Sequence, residues 1–69
     1  MEQFFDARGF HNEMTNAGMA GASVRRILEL ATSGDRATFR LHGVTLTLQH
    51  FGILSFTLRE TPGVPVNVS

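Results

Sequence analysis

Ser23, Ser33 and Ser55, taken with the three histidines His11, His42 and His50, are the residues through which this chain could do covalent chemistry. A serine, a histidine and a carboxylate joined by hydrogen bonds would make an acyl-transfer nucleophile. No serine lies in the Gly-x-Ser-x-Gly context that presents a nucleophile at a strand–turn–helix elbow. Cysteine is absent, which removes thiolate nucleophiles, zinc–thiolate sites and disulfides together. His11 and Glu13 stand two apart, and His42 and His50 fall in separate turns, a spacing unlike that of a metal-ligand set. The expectation is therefore a protein that is not an enzyme, with no catalytic residue, no cofactor and no metal.

Binding chemistry is better represented. All six basic residues are Arg, and six acids bring the formal net charge to zero. Zero net charge argues against affinity built mainly on phosphate neutralisation, and equally against an acidic mimic of nucleic acid. Exclusive use of Arg, whose codons are rich in G and C, points to a GC-rich genome. Arg36, Arg40 and Arg59 lie among Thr and Gln in segments of strand-like alternation, where they could bond phosphates or bases. Arg25 and Arg26 add a small positive patch that Glu29, three or four residues on, partly neutralises. A second candidate surface is apolar: Phe4, Phe5, Phe10, Met14 and Met19 exceed what one thin core should cover, and such clusters mark interfaces.

These residues need a frame. Arg36–Leu41, Val44–Gln49 and Leu54–Arg59 each alternate polar and apolar, the period of a half-buried strand. His42-Gly43 fits a two-residue hairpin loop and pairs Leu41 with Val44, Phe39 with Leu46 and Ala37 with Leu48. For the second hairpin, a three-residue loop His50-Phe51-Gly52 keeps the faces in phase, pairing Leu48 with Leu54, Leu46 with Phe56 and Val44 with Leu58. One face is then apolar. The other holds Arg36, Thr38, Arg40, Thr45, Thr47, Gln49, Ile53, Ser55, Thr57 and Arg59, with Phe51 left in the loop and no aromatic between the arginines.

Val24, Ile27, Leu28 and Ala31 form a helical stripe that should cover the apolar face. Gly34 is suited to the left-handed residue that ends this helix. Its start is either Ser23, as N-cap, or a point near Asn12 or Glu13, with a break favoured in the glycine-bearing stretch from Ala17 to Ala22. Glu2 to Arg8 reads as a short helix stopped at Gly9. The expected fold is α+β in a single small domain: a helical segment over 1–34, a three-stranded antiparallel meander over 35–60 (α-β-β-β), and an extended arm over 61–69 set by Pro62 and Pro65.

A chain of 69 residues buries only about 60% of its unfolded surface, so a homodimer or a partner complex is expected to supplement stability. No apolar run approaches the roughly 18 residues a membrane span needs, and a cytoplasmic location is expected. In size, Arg-only basic usage and lack of a catalytic pattern, the chain is similar to small accessory proteins of phages and mobile elements. Anti-CRISPR and other host-inhibitor proteins belong to that class, and they act by blocking a host protein's surface. That likeness implies a non-enzymatic inhibitor or adaptor. The chain's own pattern, not that likeness, offers Arg36, Arg40, Thr45, Thr47 and Arg59, or the N-terminal aromatic segment, as the contact surface. The alternative is a nucleic-acid-binding or transcription-regulating module using the Arg-bearing sheet face.

Overall fold

The computed structural model describes residues 2–52 and 55–61. The elements run β1 (Gln3–Phe5), α1 (Ala7–Asn16), α2 (Gly21–Gly34), β2 (Arg36–Leu41), β3 (Val44–Phe51) and β4 (Ser55–Glu60). The four strands form one open antiparallel sheet in the order β1-β4-β3-β2. The fold is thus α+β, with one correction to the expected α-β-β-β: a fourth strand, where a short helix over 2–8 is expected, precedes the two helices.

The correction at the N-terminus has a local cause. Asp6 is extended (φ −87°, ψ 174°) and its Oδ1 accepts from the Gly9 N–H at 2.6 Å, which makes Asp6 the N-cap of α1. Gly9 therefore opens a helix instead of ending one. A Cβ at Gly9 would stand 2.9 Å from that carboxylate oxygen, so a larger residue there would make the Asp6 side chain shift within its cap. Upstream of the cap, Gln3–Phe5 stays extended and pairs with β4, Phe5 opposite Phe56 and Phe4 opposite Thr57.

Between the helices, the break expected over 17–22 occurs at Ala17–Ala20, with Gly18 at φ +102°. Neither expected start of α2 holds. Its N-cap is Ala20, which makes no side-chain cap, and Ser23 lies inside the first turn. At its C-terminus, α2 continues through Gly34, and the positive φ falls on Asp35 (φ 79°, ψ −31°). A non-glycine residue held there carries strain on the order of 1 kcal/mol or more. Asp35→Gly is therefore expected to raise stability by about 1 kcal/mol, equivalent to about 4–8 °C in Tm for a domain of this size. A thermal melt followed by circular dichroism checks this; an unchanged or lower Tm would contradict it.

The β2–β3 hairpin has the expected register, Leu41 opposite Val44, Phe39 opposite Leu46 and Ala37 opposite Leu48. Its turn uses His42 (φ 51°) and Gly43 (φ 80°), both left-handed as a type I′ turn demands. His42 Nε2 also lies 2.9 Å from the carbonyl of Ala17, tying the hairpin tip to the end of α1. The second hairpin departs from expectation. Strand β3 runs on to Phe51, and Leu48 pairs with Leu58, Leu46 with Glu60 and His50 with Phe56. The positions expected for Ile53, Leu54 and the arm over 62–69 lie outside the described residues.

The helices cover one sheet face, with α2 over β2 and β3 and α1 against α2 and β1. Phe10 and Met14 of α1 and Val24, Ile27 and Ala31 of α2 bury against Ala37, Leu48, Phe56 and Leu58. Among the described residues, no helix is long and apolar enough to cross a membrane.

Candidate functional site

The helix-free face of the sheet gathers the arginines. Alternation sends Arg36, Thr38 and Arg40 of β2, Thr45, Thr47 and Gln49 of β3, and Ser55, Thr57 and Arg59 of β4 to this side. Cross-strand rows run Phe4–Thr57–Gln49–Arg36 and Arg59–Thr47–Thr38, with Thr45 beside Arg40. All three strand arginines stand here, while the one acid in the described strands, Glu60, pairs with Leu46 on the helix-covered side. The net charge of zero thus conceals a segregation: this face is positive.

Thr47 and Thr57 are buried although no helix among the described residues covers them; they are small side chains of the two central strands. The Thr47 hydroxyl is 2.6 Å from that of Thr61, whose N–H donates to the Thr45 carbonyl and prolongs the β3–β4 ladder. Thr45 therefore lies beside Thr61, not beside Thr57 as the expected register had it. Arg40 donates from its guanidinium to the Gly43 carbonyl at 3.2 Å. Arg59 Nε is buried and has no hydrogen-bond partner among the described residues. A buried guanidinium donor without an acceptor is an uncommon feature.

Two aromatic side chains complete the face. Phe4 is 67% exposed and Phe51 is 45% exposed, and their ring centroids lie 6.0 Å apart at an interplanar angle of 82°. Phe51 was expected in a loop and is instead the last residue of β3, opposite Ser55. A recess of about 290 Å³ beside the rings is lined by Phe4, Phe5, Asp6, Phe51, Ser55 and Phe56. Aromatic rings that remain exposed on a sheet surface offer flat apolar area for stacking.

The rest of the N-terminal cluster lies elsewhere. Phe10 and Met14 are buried in the core, and Phe5 and Met19 are half-buried and pack against it. Helix α1 is amphipathic and takes Phe10 and Met14 inward, which the sequence could not show while Gly9 read as a helix stop. The apolar surplus that argued for a homodimer shrinks accordingly to Phe4, Phe51, Leu30 and Val44 among the described residues.

The covalent-chemistry candidates are dispersed. Ser33 bonds the Glu29 carbonyl, His42 the Ala17 carbonyl, and the His50 ring lies against Phe56 at 5.1 Å. Among the described residues no serine hydroxyl is hydrogen-bonded to a histidine, and no three His, Asp or Glu are grouped to hold a metal ion. Comparison with protein-family models, curated proteins and solved structures finds no match to this chain.

Proposed function

We propose that this protein binds single-stranded nucleic acid on the helix-free face of its sheet. The observation that carries the reading is the placement of Phe4 and Phe51, both exposed, on the same face as Arg36, Arg40 and Arg59. Single strands offer unpaired bases that stack on aromatic side chains, while their phosphates pair with arginine. Duplex DNA hides its bases, and among the described residues no helix or ribbon projects from this face to enter a groove. Thr38, Thr45, Gln49 and Ser55 supply neutral hydrogen-bonding groups between the two ends.

Three arginines set the expected salt dependence. For single strands the slope of log K against log salt is about −0.7 per phosphate neutralised, hence about −2 for this face. Fluorescence anisotropy with a labelled single-stranded oligonucleotide, titrated from low to physiological salt, measures it. Changing Arg36 and Arg40 to Gln is expected to flatten the slope by about 0.7 for each arginine removed. Equal affinity for a duplex of the same length, or a slope unmoved by the two substitutions, would contradict the proposal.

A second reading follows the sequence expectation of a surface-blocking inhibitor of a host protein. Its supporting observation is the pairing of exposed aromatic and Arg side chains, both enriched at protein interfaces. A pull-down performed with and without nuclease separates the two readings: capture of one protein target that survives nuclease treatment favours the inhibitor.

A further inference from the structure

Strand β2 is the outer strand of the sheet, and its register decides which of its backbone groups are spent. The two-residue turn closes on the pair Leu41–Val44, and the His50 N–H donates to the Asp35 carbonyl at 2.9 Å at the far end. In an antiparallel ladder the N–H and C=O of one residue point to the same side, and successive residues alternate. Asp35, Ala37, Phe39 and Leu41 therefore spend their backbone groups on β3. Arg36, Thr38 and Arg40 turn theirs outward, where no backbone partner exists among the described residues.

Beside this edge, on the helix side, lies an open groove of about 600 Å³ between α2 and β2. Met19, Ala22, Ile27 and Phe39 give it an apolar lining, and Arg26 and Arg40 stand at its rim. A strand added to β2 would present alternate side chains to two different surfaces. Residues directly opposite Arg36, Thr38 and Arg40 would share their side of the sheet, and the residues between them would point into the groove.

Charge decides the occupant. A second copy pairing with β2 about a twofold axis at Thr38 would set Arg36 of one molecule against Arg40 of the other, a like-charge pairing that disfavours self-association. Of the acids, Asp35 precedes the strand, and Glu29 on α2 is already paired with Arg26 at 3.0 Å. We infer that the β2 edge and the α2–β2 groove bind an extended acidic peptide segment of a partner protein by strand addition. Its five-residue core reads acidic, aliphatic, small polar, aliphatic, acidic: acids oppose Arg36 and Arg40, a Thr or Ser opposes Thr38, and the two aliphatic side chains enter the groove. The pattern is symmetric, so it serves a parallel or an antiparallel strand.

This inference does not depend on stacking at Phe4 and Phe51, and the test keeps the two apart. The full-length protein is mixed with a capped nonapeptide, Gly-Ser-Glu-Val-Thr-Val-Glu-Ser-Gly, and amide exchange is followed by NMR. The exchange rates of Arg36, Thr38 and Arg40 are expected to fall at least tenfold at saturation. The Lys-for-Glu version of the peptide should fail to protect them. In Arg36→Glu/Arg40→Glu the preference should reverse to the Lys peptide, a result that misfolding cannot produce. Phe4→Ala/Phe51→Ala should leave peptide protection intact. Unchanged exchange at the three amides would overturn the inference, as would equal binding of both peptides to both proteins. Protection that rises with protein concentration in the absence of peptide would also overturn it, in favour of a second copy.

Discussion

Replacing Phe10 with alanine is expected to leave the chain largely unfolded at 25 °C. Phe10 is fully buried and meets Phe5 of β1 and Phe39 of β2 edge-to-face, with centroids 6.1 and 6.0 Å away. Those strands are the two outer strands of the sheet, so one ring from α1 bridges its full width. Truncating a buried Phe costs about 3–5 kcal/mol in forfeited transfer energy and residual cavity. A core in a chain of this size rarely supplies more than about 3–5 kcal/mol of net stability. The loss is therefore comparable to the whole. Phe4→Ala is the matched control, since that ring is mostly in water and its removal should leave folding unchanged. Far-UV circular dichroism melts of both variants decide the matter; a cooperative transition for Phe10→Ala within about 10 °C of the parent would contradict it.

The same residues show what could be read from sequence and what could not. Alternation over 36–41 and 44–49, with Gly43 in the turn, specified the first hairpin down to its register, because one slip would have exposed every apolar side chain. The second hairpin was ambiguous for the complementary reason. Pairing Leu48 with Leu54 or with Leu58 differs by four residues, an even shift that leaves the same side chains on the same face. Periodicity cannot distinguish such registers. The observed one carries the ladder from Leu46 through to Phe51 and so draws Phe51 out of the loop. Strand β1 was illegible because three residues carry no period; only its distant partner β4 makes Gln3–Phe5 a strand. The gathering of Arg36, Arg40 and Arg59 on one face followed from parity alone. The aromatics beside them did not, since each depended on a long-range pairing with β4.

Phe4→Ala/Phe51→Ala is expected to abolish most single-strand binding while leaving the fold intact. Stacking of a base on an aromatic side chain is worth about 1–3 kcal/mol by alanine substitution. Each single variant should thus lose about 5- to 150-fold in affinity. The double variant should lose more than either, less than the product if one ring positions the other, because the two rings meet edge-to-face. Both side chains are largely exposed, so the melting temperature should stay close to the parent's. The salt titration adds a diagnostic that the arginine variants cannot imitate. Removing rings lowers affinity at every salt concentration and leaves the slope near its parent value, since every arginine that neutralises a phosphate is retained. Removing Arg36 and Arg40 flattens the slope. Unaltered affinity in the double Phe variant would remove stacking from the account and leave the face with electrostatics alone. Three arginines on a chain of zero net charge would then be too few to hold a single strand at physiological salt.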